Sequence, residues 1–252
     1  MNPQYRRVGR AIAEADTVVA LTGAGVSTAS GIPDFRGDDG IWDRYDPDEF
    51  TIWRFQRDPD GFWADWLALH DAVFDRDVAP NPAHDALATL ESQGALDAVV
   101  TQNVDGLHQA AGSERVVELH GSGDRAVCQH CGARTDADPV MERARDGDGA
   151  PTCDDCGGLL KPDSVLFGEQ LPRHALLEAQ SLAERSDVFI AAGSSLTVEP
   201  AASLPGTAER RGATLVVAND EETPVADRAA FTFRESVTEV LPALAAAVED
   251  AR

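Results

Sequence analysis

Six short apolar runs stand out along the chain: TVVALT (17–22), DAVVTQ (97–102), VVELH (116–120), DVFIAAG (187–193), ATLVVAN (213–219) and AAFTF (229–233). Several are almost continuously apolar rather than alternating, as strands covered on both faces of a parallel sheet must be. Helical patterns lie between them. AHDALATLESQG (83–94) has apolar positions at helical spacing and a closing glycine, and HALLEAQSLAERS (174–186) reads the same way. A last pattern, SVTEVLPALAAAVEDAR (236–252), contains Pro242, which marks either its true start or a kink. Strands alternating with helices predict an α/β fold on a doubly wound, Rossmann-like parallel sheet.

Two stretches interrupt the alternation. Residues 33–75 hold all four tryptophans, Trp42, Trp53, Trp63 and Trp66. Within them Phe62, Trp66, Leu69 and Val73 recur at helical spacing, so an amphipathic helix is expected. Residues 124–159 are rich in Gly, Asp and Arg without strong periodicity, and are expected to be loop-rich. The expected organisation is a Rossmann-like domain of residues 1–32, 76–123 and 160–252, with the two excursions forming a small second lobe.

Charge narrows the setting. The 252 residues carry 44 acidic and 21 basic side chains, a net charge of -23, and Lys161 is the only lysine. The acid is spread along the chain rather than gathered in a tail. Such a surface suits a halophile protein, whose self-repulsion is screened once molar salt shortens the Debye length to about 3 Å. An acidic mesophilic protein is the alternative. The same balance argues against direct nucleic-acid binding, which calls for a basic patch. No apolar run approaches the roughly 20 residues of a membrane span. The opening MNPQYRRVGRAIAEAD lacks the apolar core of a secretory signal, so a soluble, cytoplasmic protein is expected.

All four cysteines fall in two C-x-x-C-G knuckles, Cys128/Cys131 and Cys153/Cys156. The spacing is that of a tetrahedral zinc site. Two disulfides are the competing pairing, but disulfides are uncommon in the cytosol. Four thiolates close the metal's shell and leave no position for water or substrate, so the zinc is expected to be structural. His130, inside a knuckle, is expected to be a bystander.

Three motifs follow predicted strands. In LTGAGVSTASGIPDFRG (21–37), Gly23-Ala24-Gly25 stands where a Rossmann sheet offers backbone N–H groups to a pyrophosphate. The dehydrogenase pattern fails beyond it: the next glycine is Gly31, and the Trp-rich stretch replaces the second strand and its acidic residue. A hydride-transfer dehydrogenase is therefore not expected. Phe35 and Arg36 lie on the loop beyond. In TQNVDGLH (101–108), Gln102, Asn103 and Asp105 sit at a strand's carboxyl end, where open α/β sheets bind ligands; an ordinary Asp-Gly turn would read the same. His108 is placed on the following helix. In VVELHGSG (116–123), His120 ends a strand, either as a general base or as one more structural histidine.

GAGVSTASGIPDFRG, TQNVDGLH, LHG, the paired knuckles, VLFGEQLP (165–172), GSSLTVEPA (193–201) and VVAN (216–219) occur in the order seen in sirtuins, the NAD-dependent protein deacylases, which this chain resembles from about residue 5 to 245. The resemblance implies an NAD-binding Rossmann-like domain facing a small zinc lobe across a cleft, with an acyl-lysine peptide threaded through. Gly23, Ala24, Gly25 and Ser27 would line the dinucleotide phosphates and ribose, and Phe35 and Arg36 would belong to a cofactor loop. Gln102, Asn103 and Asp105 would surround the nicotinamide and its ribose. Gly193, Ser194, Ser195 and Asn219 would hold the adenosine half. Val165, Phe167, Gly168 and Val198 would pair with the substrate backbone. Cys128, Cys131, Cys153 and Cys156 would hold one zinc per chain.

The implied reaction consumes NAD as a co-substrate: nicotinamide leaves, the acyl oxygen attacks the ribose, and His120 deprotonates a ribose hydroxyl. Asn103 and Asp105 share the catalytic site. The products are free lysine, nicotinamide and O-acyl-ADP-ribose. Protein mono-ADP-ribosyl transfer, deacylation with another acyl preference and a non-catalytic NAD-sensing module are the alternatives. Sirtuins that prefer acidic acyl groups carry a Tyr-x-x-Arg pair where this chain reads Trp63-Ala64-Asp65-Trp66. An acetyl preference is therefore expected. Substrate identity and oligomeric state are not legible in the sequence.

Overall fold

The computed structural model describes residues 2–34, 40–74, 78–147 and 149–252. Every predicted apolar run contains a strand of one six-stranded sheet: β1 (Val18–Thr22), β2 (Ala98–Thr101), β3 (Val116–Glu118), β7 (Val188–Ala192), β8 (Thr214–Ala218) and β9 (Phe231–Phe233). Three further strands form a second sheet: β4 (Arg125–Cys128), β5 (Arg134–Asp136) and β6 (Leu160–Pro162). All pairings in the large sheet are parallel, in the order β3-β2-β1-β7-β8-β9. Counted along the chain this is the Rossmann order, with its reversal between β1 and β7.

The continuous apolar character of the strands has a direct cause. Alternate residues feed two separate cores. Val18, Ala20, Ile190 and Val216 face the helices Pro3–Glu14, Pro82–Ser92 and Val237–Glu249. Val19, Leu21, Phe189 and Leu215 face Arg173–Arg185 and Leu204–Arg210. The last helix starts at Val237, capped by Ser236, and runs through Pro242. Pro242 is therefore not its start. The cost of an interior proline is about 3 kcal/mol. Burial of Val240, Leu241, Leu244 and Val248 against the sheet outweighs it.

The tryptophan-rich stretch forms the expected helix, Pro59–Phe74, preceded by a shorter one, Ile52–Arg57. Phe62, Trp63 and Leu67 pack against Ala126 and Leu160 of the small sheet and against Val140 and Met141 beside it. The Trp63 indole N–H donates to the Leu160 carbonyl, 3.0 Å away. The segment expected to be loop-rich contains a helix, Ala137–Arg145, which buries Ala137, Val140 and Met141. Its apolar positions are helically spaced but diluted by Asp, Glu and Arg. The small sheet also includes Leu160–Pro162, beyond the cysteine segment.

Candidate active site and zinc centre

The turns leaving β1 and β7 touch backbone to backbone at the reversal point. Gly25 N–H donates to the Gly193 carbonyl (2.9 Å) and Gly193 N–H to that of Ala218 (2.9 Å). A Cβ on Gly193, whose φ is +59°, would lie 2.4 Å from the Val26 nitrogen, so no larger residue fits. Ala24–Val26 forms a single 3-10 turn at the carboxyl edge of the sheet. Ser194 follows Gly193, and Asn219 directly follows β8, its side-chain amide bonded to the Glu221 carbonyl (3.1 Å). Ser195, beyond Ser194, exchanges a hydroxyl contact with Thr197 at 3.0 Å.

Buried polar groups below this edge are chained together. The Ser27 hydroxyl donates to Asp105 Oδ2 at 2.7 Å and accepts from Asn103 Nδ2 at 3.1 Å. Asn103 Nδ2 also reaches the Gly23 carbonyl at 3.1 Å. His84 Nδ1 accepts the Asn81 N–H at 3.3 Å, leaving the proton on Nε2, which meets Ser27 Oγ at 3.4 Å. The serine oxygen thus accepts twice and donates its one proton to Asp105. A second relay runs beneath. His108 Nε2 lies 2.9 Å from Thr22 Oγ1, which donates to Thr101 Oγ1 at 2.9 Å, and that oxygen accepts the Asn103 N–H at 3.0 Å. Since Thr22 gives its proton to Thr101, His108 donates through Nε2. Burial holds His84 below the ordinary imidazole pKa and takes His108 down to about 3, so both are neutral props.

Gln102 joins the two halves of the edge. Its side-chain amide donates to Ser194 Oγ at 2.8 Å, and its backbone carbonyl lies 2.8 Å from His120 Nδ1. A carbonyl only accepts, so Nδ1 carries the proton and Nε2 keeps its lone pair. Nε2 has no partner among the described residues. Burial lowers the His120 pKa, opposed by the Gln102 contact, so the ring is neutral near pH 7. His120 is therefore built to accept a proton through Nε2.

His120 also anchors the small-lobe connection: its carbonyl accepts the Val165 N–H at 2.8 Å. Phe167 is engaged on one side, its N–H bonded to the Phe50 carbonyl (3.1 Å) and its carbonyl to the Ile52 N–H (3.0 Å). The Val165 carbonyl and both backbone groups of Gly168 have no partner among the described residues, so this edge is open. Lys161 pins the segment from below. Its ammonium is buried, bonded to the Pro162 (2.7 Å) and Ser164 (2.8 Å) carbonyls and paired with Glu169 at 3.1 Å. Val198 is half-buried on the turn after β7, and its carbonyl accepts the Ala202 N–H. Phe35 and Arg36 lie outside the described residues.

The four cysteines converge. Their sulfurs lie within 4.8 Å of one another, with Cys128–Cys156 at 3.5 Å and Cys131–Cys153 at 3.8 Å. Zinc–sulfur bonds of about 2.3 Å in a tetrahedron require sulfurs roughly 3.8 Å apart, which this cluster matches. All four are free thiols rather than disulfides. Backbone N–H groups of His130 (3.4 Å) and Cys131 (3.5 Å) approach the Cys128 sulfur, as expected of a knuckle.

The structure thus brings the motif residues to the carboxyl edge of the sheet and the four cysteines into one cluster. The sequence motifs did not reveal His84, Thr22, Thr101 or the Lys161–Glu169 pair, whose partners lie far away in sequence or carry no motif.

The Sir2 family model matches residues 23–200. An NAD-dependent protein deacetylase of Haloarcula marismortui is 58% identical over 238 residues, 94% of this chain and 92% of that protein. A solved complex of a Sir2 homologue with NAD is 42% identical with a TM-score of 0.86, covering 97% of this chain and 94% of the other. A Sir2 variant bound to deacetylated p53 peptide and 3'-O-acetyl ADP ribose is 40% identical with a TM-score of 0.87, covering 96% and 97%. With the family match running from Gly23 on the turn after β1 to the loop after β7, this chain belongs to the Sir2 family.

Proposed function

We propose that this protein is an NAD-dependent protein lysine deacetylase that moves the acetyl group from lysine to ADP-ribose and releases nicotinamide. The observation that carries the reading is the fixed tautomer of His120, whose Nδ1 is held by the Gln102 backbone carbonyl at the carboxyl edge of the sheet and whose Nε2 is left to accept a proton. A pure NAD-binding module needs no such base. The names of the relatives above support the same reading.

The glycine contacts and buried hydroxyls fit a dinucleotide. Gly23, Ala24, Gly25 and Ser27 would take the phosphates and the near ribose, with Gly193, Ser194, Ser195 and Asn219 at the adenosine half. Gln102, Asn103 and Asp105 would hold the nicotinamide end, and Phe35 and Arg36 would cover it. When bound, NAD supplies the ribose carbon that takes the acyl oxygen as nicotinamide departs. The chain's part is to hold that ribose against His120, whose Nε2 takes a ribose hydroxyl proton. Asn103 and Asp105 are fixed for this by Ser27, His84, Thr22 and Thr101. The acetyl-lysine segment would pair with the open edge at Val165, Phe167 and Gly168, opposite Val198. One zinc on the four cysteines orders the small lobe and takes no part in the chemistry. Residues 1–32, 76–123 and 160–252 would form the NAD-binding domain, with 33–75 as cofactor loop and helical module and 124–159 as zinc module.

The reduced thiols suit a cytoplasmic enzyme, and the charge of -23 suits one adapted to molar salt. No helix among the described residues is long and apolar enough to cross a membrane. The test is incubation with NAD and an acetyl-lysine peptide, in KCl from about 0.1 M, where the Debye length is about 10 Å, to several molar. Equimolar deacetylated peptide, nicotinamide and O-acetyl-ADP-ribose are expected, with activity and stability rising with salt. ADP-ribose attached to protein without deacetylation would overturn the reading. Full activity and stability at the lowest salt would overturn the salt adaptation.

A further inference from the structure

Trp53 is 63% exposed, the most exposed large apolar side chain among the described residues, followed on the same rim by Phe167 at 41%. Both stand beside the open edge. Thr51 bridges Phe167, and a Cβ on Gly168 would meet the Trp53 six-membered ring at 2.5 Å. The six-membered ring of the indole therefore packs directly against the residue whose backbone groups are free. Trp42 supports Phe167 from behind, ring centroids 5.3 Å apart.

The electrostatic setting is acidic on balance, with Arg57, exposed at the end of the Trp53 helix, as the opposing charge. Glu49 and Asp48 precede this helix, and Glu169 follows Gly168. The nearby Arg54 is only 15% exposed and already serves three carboxylates, Glu49, Asp58 and Asp65. Lys161 is buried against Glu169. The one cation–ring contact among the described residues is Arg7 over Phe231, on the N-terminal helix. An uncovered indole face in an acidic rim is a receptor for a cation.

We propose that Trp53, with Phe167, receives an arginine or lysine side chain flanking the acetyl-lysine of the substrate protein, so that this enzyme selects basic segments. The inference rests on the deacetylase reading, because it places the substrate backbone on the Gly168 edge. The ring contact also suits molar salt. Screening at about 3 Å removes most attraction from the surrounding carboxylates but leaves a stacked guanidinium in contact.

The test uses one acetyl-lysine peptide with arginine, citrulline or norleucine placed in turn at the flanking positions. Labelled-peptide affinity, which needs no turnover, and kcat/KM are both measured in molar KCl for the wild type, Trp53→Ala and Trp53→Phe. The wild type should favour arginine over citrulline at one position by about two- to fivefold. That ratio should fall to about one in Trp53→Ala and persist in part in Trp53→Phe. An arginine preference that survives Trp53→Ala, or norleucine bound as well as arginine, overturns the proposal. Turnover without any arginine preference does so too, while leaving the deacetylase reading intact. Peptide binding with the expected ratio but no turnover of any peptide sinks the deacetylase reading and keeps the Trp53 receptor.

Discussion

His120 gives its Nδ1 proton to the carbonyl of Gln102, 2.8 Å away. That carbonyl is the backbone one, and the Gln102 side chain bonds Ser194 on the turn after β7, across β1. The orientation of the His120 ring and the link between the turns after β2 and β7 are thus set by one residue. Replacing His120 by alanine should lower turnover by about 10²–10⁴-fold while NAD and peptide still bind. Single-turnover rates with binding titrations check this, and retention of a tenth of wild-type turnover would remove His120 from the reaction. Burial disfavours the imidazolium, so the base stays neutral to lower pH than a free histidine. kcat/KM should therefore hold through pH 7 and fall only below the ordinary value of 6.5.

The zinc centre is predicted to be structural. Cys128 and Cys153 belong to the same buried cluster as Phe62, Trp63 and Leu160, so losing the metal disorganises the small lobe's own core. Chelation, or Cys153→Ser, should unfold that lobe and eliminate activity, because structural zinc contributes folding free energy. Metal analysis should find one zinc per chain. A zinc-free preparation of full activity would refute the assignment.

The large sheet was legible because its central strands β1, β2, β7 and β8 are buried on both faces, which forces continuous apolar runs. The small sheet was not. Arg134–Asp136 is exposed throughout, and Leu160–Pro162 is three residues long with the chain's only lysine in the middle. Its order comes from the metal ligands and from Trp63, whose contact with Leu160 spans 97 positions. At the site, Gly23, Gly25, Asn103, Asp105 and His120 were legible because each follows a strand end. His84 was hidden inside an ordinary helix start, where it completes the Asn81 capping box, and its approach to Ser27 exists only after folding.

Acid should weaken the fold through His108. Its folded pKa is about 3, against 6.5 when exposed. Below pH 6.5 the unfolded chain binds the proton and the folded one does not. Stability is therefore intact above that value and declines as pH falls toward 3, by at most about 1.4 kcal/mol per pH unit from this residue. His84 shifts in the same direction. Urea midpoints between pH 7.5 and 5.5, at constant molar KCl, should show this decline, and His108→Gln should flatten it. Equal slopes in both proteins would mean that His108 protonates without unfolding.

The last prediction concerns the acyl group. A succinyl carboxylate inside the cleft needs a fixed cation, ideally an arginine making two parallel hydrogen bonds. The positions where acid-preferring sirtuins carry Tyr and Arg hold Trp63 and Trp66 here. Trp63 is buried, with its one N–H committed to the Leu160 carbonyl. Trp66 stacks on Phe62 with centroids 6.1 Å apart and ring planes within 17°. Between them, Asp65 is paired with Arg54 at 3.2 Å, so that arginine is also committed. An unpaired carboxylate against these rings would cost several kcal/mol. Acetyl-lysine should therefore exceed succinyl-lysine in kcat/KM by at least about 100-fold on one peptide, equivalent to about 3 kcal/mol. Trp66→Arg should raise desuccinylation relative to deacetylation if position 66 faces the acyl end. A succinyl preference in the wild type would mean that a different cation serves the cleft, with Arg76, which lies outside the described residues, the first to replace by alanine.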